Sequence, residues 1–318
     1  AMEVSSHALS QKRVSATLFN TAVFTNLTRD HLDYHQTMAA YAAAKKEIFT
    51  GDHQQVAVIN GDDKQAQRWL ENWPKLQPVV VYGRGENITS HARFVQAIDI
   101  KHHVDGVSFV LNTEQGKSEI RSQLLGDFNV ENLLAAIAVL MVENIALTTI
   151  ASAIRQLVPI IGRMEAFTSL GKPTAVVDYA HTPDALASAL DACRLHCQGQ
   201  LWLVFGCGGD RDTGKRALMA EVAQSKADHI IITNDNPRSE DPEAIAADIM
   251  AGFSAAGNVE TILDRTTAVL TALKNAKAND VILCAGKGHE DYIIIGNEKR
   301  HYDERAVVRE FYSTEAVL

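Results

Sequence analysis

The sequence predicts an α/β protein with two domains. A chain of 318 residues is long for a single hydrophobic core. Its second half alternates short apolar runs with helical segments, which is typical of right-handed βαβ units and a mainly parallel sheet. Its first half adds β-rich stretches beside an α/β part. We place the domain boundary near Ile161, which gives domains of residues 1–161 and 162–318.

The first domain begins with a strand and a polar loop. Apolar and β-branched residues predict a strand at 23–27, and crowded polar groups predict a loop at 28–35. Good helix formers follow at 38–49. The further elements predicted here are strands at 55–60 and 78–83, a helix at 65–73, strands within 92–111 joined by a turn at 102–106, and helices at 133–142 and 147–157.

In the second domain, four strands alternate with four helices. The strands are predicted at 174–178, 201–205, 229–233 and 281–285, and the helices at 185–195, 216–225, 243–252 and 266–274. Because parallel strands end at the same edge of a sheet, we expect Asp178, Gly206, Asn234 and Gly286 to lie along one rim.

Composition excludes several classes of partner. The 30 basic and 39 acidic residues give a formal charge of -9 with no basic patch, so we expect no nucleic-acid partner. No apolar stretch approaches the roughly 20 residues of a membrane span, so we expect no membrane partner. The cysteines show no CxxC pair and are read as reduced thiols of a cytoplasmic protein; they are Cys193, Cys197, Cys207 and Cys284.

The loop after the third predicted strand is the strongest candidate for a binding site. It runs Asp235-Asn236-Pro237-Arg238, and Pro237 fixes its own φ and pushes Asn236 toward an extended conformation. The forked guanidinium of Arg238 suits a carboxylate or a phosphate. The alternative is an ordinary turn with a solvated arginine.

Two other strand ends carry polar groups. Asp178 and His181 follow the first strand, where Asp178 either faces a ligand or caps the turn. Gly209 to Lys215 follows the second strand with spacing close to that of a P-loop, but Arg216 replaces the hydroxyl residue that binds Mg²⁺. We therefore predict no triphosphate site there, and read Arg211 as a second cation beside Arg238. A structural glycine turn is the alternative.

The fourth strand end completes the candidate pocket. Gly286 and Gly288 let the backbone approach a ligand closely, and Glu290 supplies a negative charge. Arginines and a carboxylate on one rim suit a zwitterion. The sequence therefore predicts an amino-acid pocket.

Taken together, eight motifs resemble the Mur ligases, and among them the members that add meso-diaminopimelate. The motifs are Glu3–His7, Asn26–His35, Lys45, Gly162–Glu165, Asp178–Pro183, Gly206–Lys215, Asp235–Arg238 and Gly286–Glu290. The resemblance implies a central α/β domain with a β-rich part, followed by a Rossmann-like C-terminal domain. It also implies ATP-dependent ligation of meso-diaminopimelate to UDP-N-acetylmuramoyl-L-Ala-D-Glu through an acyl phosphate, in peptidoglycan precursor synthesis.

The resemblance also implies roles for individual residues. Glu3, His31 and a carbamylated Lys45 match catalytic Mg²⁺ ligands. Residues matching the nucleotide-sugar contacts are Ser5, Gln11 and Arg13, and those matching the ATP side are Asn132, Arg163 and Asp178. The diaminopimelate positions are Arg211, Asp235, Asn236, Pro237, Arg238, Gly286 and Glu290. Family members are expected to be cytoplasmic monomers in bacteria, with ATP, the nucleotide sugar and the amino acid as small-molecule partners.

One departure from the family pattern is large. Family members carry an N-terminal domain and a Gly-rich P-loop before the position of Glu3, and neither occurs in these 318 residues. We therefore expect a truncated central domain whose sheet lacks some strands, and no ligation by this chain alone. Two alternatives stay open: a non-catalytic amino-acid-binding module, and a P-loop hydrolase, which Arg216 disfavours.

Overall fold

A computed structural model describes residues 1–28, 30–50, 55–254 and 257–313. The chain divides into two compact units. The first comprises Ala1–Lys101, Ser108–Arg121 and Asp127–Gln156, and the second comprises His102–Val107, Ser122–Gly126 and Leu157–Leu318. Within the described ranges, no helix is long and apolar enough to cross a membrane.

The first unit is built on a six-stranded sheet with the strand order β1-β2-β3-β4-β5-β6. The strands are β1 Thr21–Phe24, β2 Val56–Asn60, β3 Val79–Gly83, β4 Phe94–His103, β5 Gly106–Thr113 and β6 Gly116–Ser122. The helices are α1 Ser6–Ser10, α2 Leu32–His35, α3 Met38–Lys46, α4 Lys64–Leu70, α5 Asp127–Val142 and α6 Leu147–Arg155.

Two kinds of strand pairing meet in this sheet. Strands β1 to β4 pair in parallel, and their buried residues pack with α3 and α4 around Phe24, Ile59 and Trp69. Strands β4, β5 and β6 are joined by two-residue connections, which only antiparallel neighbours can have. Helix α5 buries seven of its sixteen residues, six of them within the mostly apolar run from Leu133 to Val142.

The second unit is built on another six-stranded sheet, with the order β11-β10-β9-β12-β8-β7. Its strands are β7 Glu165–Phe167, β8 Thr174–Asp178, β9 Leu201–Phe205, β10 His229–Ile232, β11 Val259–Thr261 and β12 Val281–Ala285. Its helices are α7 Pro183–His196, α8 Gly214–Lys226, α9 Pro242–Met250, α10 Arg265–Asn275 and α11 Glu304–Ser313, and a hairpin is formed by β13 Tyr292–Ile295 and β14 Glu298–His301.

The four strands predicted for the second domain are confirmed as one parallel set. Strand β12 pairs in parallel with β8 and β9, and β9 pairs in parallel with β10. Apolar side chains cover both faces of this sheet in two separate clusters, which explains why each strand is a short, continuous apolar run. The carboxyl ends of β8, β9, β10 and β12 therefore meet at one rim, as expected.

Several local predictions were wrong. The first strand spans Thr21–Phe24 instead of 23–27, and α2 forms one helical turn inside the predicted 28–35 loop. In the second unit, α8 begins two residues earlier than predicted, at Gly214, and α9 begins one residue earlier, at Pro242; proline is common at the first helical position. The sequence analysis did not predict β6, β7, β11, β13, β14 or α11.

Candidate functional site

A cavity of about 400 Å³ lies at the rim of the second unit's parallel sheet. Four loops line it, each following the carboxyl end of a parallel strand. It is lined by Tyr179, His181, Thr182, Gly206, Cys207, Gly208, Arg211, Asp212, Lys215, Asp235, Asn236, Arg238, Gly286 and Glu290. The cavity therefore includes all the residues predicted for the amino-acid pocket except Pro237, which is buried in the same loop.

A fully buried lysine lies beside this cavity. The Nζ of Lys287 donates to Glu290 Oε2 at 2.9 Å, to Asn236 Oδ1 at 3.0 Å and to Asp235 Oδ1 at 3.3 Å. These three acceptors use all three donors of an ammonium group. Lys287 thus joins the loop after β10 to the loop after β12.

The side chains of Asn236 and Glu290 are also fixed to each other. Asn236 Nδ2 donates to Glu290 Oε2 at 3.0 Å, while its Oδ1 also accepts from the Ile294 amide at 2.9 Å. Burial is the largest influence on Glu290 and acts to raise its pKa, but the hydrogen bonds from Lys287 and Asn236 lower that pKa overall. Glu290 therefore stays ionised at neutral pH.

The half-buried Arg238 is held by backbone contacts on both sides. Its φ is +53°, its N–H donates to Ile294 O at 3.1 Å, and its carbonyl accepts from Gly296 N at 2.6 Å. Its Nη1 donates to Gly209 O at 2.7 Å. The guanidinium is therefore anchored by one arm at the cavity.

Glycines allow the loops to approach one another. A Cβ on Gly209 would lie 2.0 Å from the Pro237 carbonyl oxygen, and one on Gly288 would lie 2.6 Å from Tyr179 Cβ. Gly286 has φ +113°, in a region that favours glycine. The close approach of the four loops thus requires glycine at these positions.

The near P-loop of the sequence carries two cationic side chains, Arg211 and Lys215. Arg211 is exposed and donates to the Asp210 carbonyl, and Lys215 Nζ donates to the His181 carbonyl at 2.9 Å. Arg216 turns inward, with its side chain 2% exposed, and pairs with Glu240 at 2.8 Å and Asp248 at 2.7 Å. Arg216 is therefore a structural residue, which explains why no hydroxyl occupies this position.

Asp178 makes the contacts of a turn cap. Its Oδ1 accepts from the Met164 amide at 2.8 Å and its Oδ2 from the Ala180 amide at 2.9 Å. Arg163 is exposed, with its guanidinium carbon 4.8 Å from the centre of the Tyr179 ring. Asn132, in the first unit, is exposed on α5 and donates to Asn129 Oδ1 at 3.4 Å. The assignment of Asp178, Arg163 and Asn132 to the ATP side stays a prediction.

Of the three predicted Mg²⁺ ligands, His31 and Lys45 both lie beside the Tyr41 ring in the first unit. His31 has φ +53° and its ring lies 5.7 Å from the Tyr41 ring, over which Lys45 Nζ lies at 5.4 Å. Burial lowers the pKa of Lys45, and Glu3, Asp30 and Asp63 act in the opposite direction. Within the described ranges, no three His, Cys, Asp or Glu side chains form a metal site by themselves. Arg29, in the same motif, lies outside those ranges.

The residues predicted for the nucleotide sugar surround α1. Ser5 is its N-cap, and its Oγ accepts from the Ala8 amide at 3.1 Å. Gln11 is the C-cap residue, and Arg13 follows it with an exposed side chain. This arrangement places polar groups at both ends of one short helix. Their contact with a nucleotide sugar stays a prediction.

Sequence reasoning missed several residues around the cavity, including Lys287, Tyr179 and Lys215. Lys287 lies between two glycines, and nothing in the local sequence indicates its burial. Tyr179 OH donates to Glu290 Oε1 at 3.4 Å, and burial raises its pKa. Lys215 lines the cavity, although the sequence analysis gives it no role once a triphosphate site is ruled out. The signal available for all three was their position after a strand end.

Fold and site together define a class of protein. It is a two-unit α/β protein with a cavity at the carboxyl edge of a parallel sheet, and both cationic and anionic side chains line that cavity. The Mur ligase middle domain model matches residues 1–140, and the model described as Mur ligase, glutamate ligase domain, matches residues 162–288. The chain therefore belongs to the Mur ligase family.

Similar proteins extend these matches over nearly the whole chain. A UDP-N-acetylmuramoyl-L-alanyl-D-glutamate–2,6-diaminopimelate ligase of Haemophilus influenzae (strain PittEE) is 48% identical over 311 residues, which are 98% of this chain and 63% of that protein. A solved structure of a ligase with the same name is 39% identical with a TM-score of 0.76, covering 98% of this chain and 64% of the other. This chain thus spans less than two thirds of either relative.

A more distant structure shows the fold alone. A MurF ligase from Thermotoga maritima in complex with ADP is 15% identical, with a TM-score of 0.62. The match covers 87% of this chain and 60% of the MurF chain.

Proposed function

We propose that this chain carries the amino-acid-adding part of an ATP-dependent ligase of peptidoglycan precursor synthesis. The reaction joins meso-diaminopimelate to UDP-N-acetylmuramoyl-L-Ala-D-Glu. Support comes from the names of two similar proteins, each a UDP-N-acetylmuramoyl-L-alanyl-D-glutamate–2,6-diaminopimelate ligase. We also propose that the functional boundary between the domains lies at Ile161, so that residues 162–318 carry the amino-acid pocket.

The observation that carries the proposal is the pair of opposite charges in the rim cavity. Arg238, Arg211 and Lys215 line it together with Asp235 and Glu290. An amino acid presents an ammonium group and a carboxylate, so a cavity with both charges matches it at both ends. A nucleotide triphosphate would instead meet two buried or half-buried carboxylates that repel it.

Arg238 supplies the proposed discrimination between diaminopimelate and lysine. The two amino acids differ by a carboxylate at the far end, and an arginine binds a carboxylate through two parallel hydrogen bonds. Lysine would leave the half-buried guanidinium without a carboxylate partner. A hydrogen bond to a charged group is worth about 1.5–3 kcal/mol, which corresponds to roughly 10- to 150-fold in affinity.

The proposed chemistry begins with phosphorylation of the D-Glu carboxylate by ATP. The amine of bound diaminopimelate then attacks the acyl phosphate carbonyl, a C–N bond forms, the C–O bond to phosphate breaks, and the amine loses a proton. Here Asp235, Glu290 and Arg238 hold the amino acid, which converts attack by a free amine into attack by an oriented one. Arg163, Asp178 and Asn132 are proposed for the ATP side, and Ser5, Gln11 and Arg13 for the nucleotide sugar.

Lys45, Glu3 and His31 fit a Mg²⁺ site if Lys45 is carbamylated. A lysine reacts with CO2 as the neutral amine, and burial lowers the Lys45 pKa and so increases the neutral fraction. The carbamate then offers the hard oxygen donors that Mg²⁺ prefers. Bound Mg²⁺ would neutralise phosphate charge in the reaction.

Calorimetric titration of the chain with meso-diaminopimelate, and separately with L-lysine, tests the proposal. We expect diaminopimelate to bind at least about tenfold more tightly than lysine. L-Alanine, which has neither distal group, serves as the control for non-specific binding of an amino acid. Equal binding of diaminopimelate and lysine, or no binding of either, would contradict the proposed pocket.

A further inference from the structure

Lys287 is a charged group with no place in the proposed chemistry. Its side chain is 0% exposed, yet it contacts three residues assigned to the amino-acid pocket. A buried ammonium is costly unless acceptors surround it, so its presence calls for a reason beyond packing.

Lys287 leaves one oxygen of the Asp235 carboxylate and one of the Glu290 carboxylate without a hydrogen bond from it. Lys287 takes one oxygen from each carboxylate, Oδ1 of Asp235 and Oε2 of Glu290. Among the described residues, Glu290 Oε1 receives only the long contact of 3.4 Å from Tyr179 OH. In the described part of the chain, Asp235 Oδ2 accepts no protein hydrogen bond, and it lies 2.9 Å from where a Cβ on Gly286 would be. Both carboxylates therefore keep one oxygen for the cavity.

We propose that Lys287 is a positioning residue that holds the Asp235 and Glu290 carboxylates side by side and presents one oxygen of each to the ammonium group of the amino-acid substrate. This inference rests on the proposed amino-acid pocket. Asn236 completes the arrangement, because its Oδ1 accepts from Lys287 and its Nδ2 donates to Glu290.

The charge balance gives this arrangement a measurable consequence. If Lys287 is removed, the two carboxylates lose the ammonium group that hydrogen-bonds to both of them, and one carboxylate is then expected to take up a proton. With Lys287 present, the hydrogen bonds from Lys287 and Asn236 overcome burial and lower the Glu290 pKa. The other titratable or charged groups that line the same cavity or lie close to the pair are Tyr179, His181, Cys207, Arg211, Asp212, Lys215, Arg238, Arg265 and Tyr292.

The test is Lys287→Met, which keeps the length of the side chain and removes its charge and donors. Without Lys287, the carboxylate pair is expected to hold one proton, which the substrate ammonium must displace. Calorimetry with meso-diaminopimelate in buffers of different ionisation enthalpy should show about one proton released between pH 6 and 8, against almost none for the unmutated chain. Affinity at pH 6.5 should fall about tenfold or more.

Lys299→Met is the matched control. Lys299 is exposed on β14 and lies over the same Tyr292 ring at 4.2 Å, compared with 5.5 Å for Lys287. It should bind diaminopimelate like the unmutated chain. Lys287→Arg retains the charge and should restore binding without proton release, which a purely structural role would not predict.

Failure of the inference is distinguishable from failure of the proposed function. If the unmutated chain binds no diaminopimelate, the proposed function fails. If it binds, and Lys287→Met binds equally well without releasing a proton, the inference alone is overturned. Should Lys287→Met not fold, the ¹⁵N signal of Lys287 Nζ in the unmutated chain should shift on adding diaminopimelate; an unchanged signal would overturn the inference.

Discussion

Replacing Glu304 by Gln is expected to destabilise the second unit more than any surface substitution. Arg265 and Glu304 are both 0% exposed, and Arg265 donates to Glu304 through Nε at 2.5 Å and Nη2 at 3.1 Å. Tyr302 OH donates to the same carboxylate at 2.9 Å. Arginine remains protonated in any protein environment, so the substitution leaves a buried, uncompensated charge.

The expected cost follows from this burial. Removing one partner of a buried ion pair costs about 3–5 kcal/mol. For a domain of this size, that lowers the melting temperature by roughly 6–20 °C. Arg265 also donates to the carbonyls of Asn234 at 3.0 Å and Ala285 at 2.8 Å, just before Asp235 and Gly286. Loss of the Glu304 charge should therefore also destabilise the ends of β10 and β12, which precede Asp235 and Gly286 in the rim cavity.

Hydrogen exchange read by mass spectrometry measures this effect within the full chain. Exchange in β10 and β12 should accelerate in Glu304→Gln, whereas β2 and β3 of the first unit should be unaffected. Arg216→Met is the comparison, because its partners Glu240 and Asp248 are 29% and 55% exposed and stay hydrated, so we expect about 1 kcal/mol or less. Equal costs for the two variants would refute the reasoning from burial.

Three further predictions concern single positions. In ¹³C-labelled bicarbonate, the chain should show a carbamate signal that grows as pH rises toward 9; Lys45→Ala should lose it and Lys46→Ala should keep it, and a signal that survives Lys45→Ala would contradict the assignment. Hydrogen bonds from Thr267 lower the Asp264 pKa, so this carboxylate stabilises the fold above its unfolded pKa of about 3.9 and the benefit is lost as pH falls through its lower folded pKa. The difference in urea midpoint between the unmutated chain and Asp264→Asn should therefore shrink below about pH 4, and a constant difference would contradict this sign. Gly288→Ala should weaken diaminopimelate binding about tenfold or more, because a Cβ there would meet Tyr179 at 2.6 Å and the φ is +50°; unchanged affinity by calorimetry would refute the close-approach argument.

The parallel sheet of the second unit was predictable because each strand is buried on both faces. Thr174–Asp178, Leu201–Phe205 and Val281–Ala285 have the predicted bounds, since each is a short run of mostly apolar, mostly buried residues. The rim followed from this, because the carboxyl ends of parallel strands coincide.

The missed elements lack that signal. Strand β14 is Glu298–His301, four exposed polar residues whose strand conformation depends on pairing with β13. Helix α2 has four residues, too few to show helical periodicity. Helix α11 is amphipathic, but it follows the polar strand β14 and begins with the buried Glu304.

The loops of the candidate site were predictable from the sequence, but the hydrogen bonds that Lys287 makes between them were not. The strand ends identify Asp235, Asn236 and Glu290 as neighbours, whereas the burial of Lys287 depends on the loops after β10 and β12 converging. A lysine flanked by glycines is exposed in most proteins. Only the tertiary contacts show that it supports the other three.

The most direct test of the account is the effect of Arg238→Ala on the ratio of affinities for meso-diaminopimelate and L-lysine. Arg300→Ala, an exposed arginine on β14 that pairs only with Glu298 among the described ion pairs, is the control. We predict that the ratio falls to about one in Arg238→Ala through loss of diaminopimelate binding, and is unchanged in Arg300→Ala. An undiminished preference for diaminopimelate in Arg238→Ala would contradict the claim that this guanidinium binds the second carboxylate.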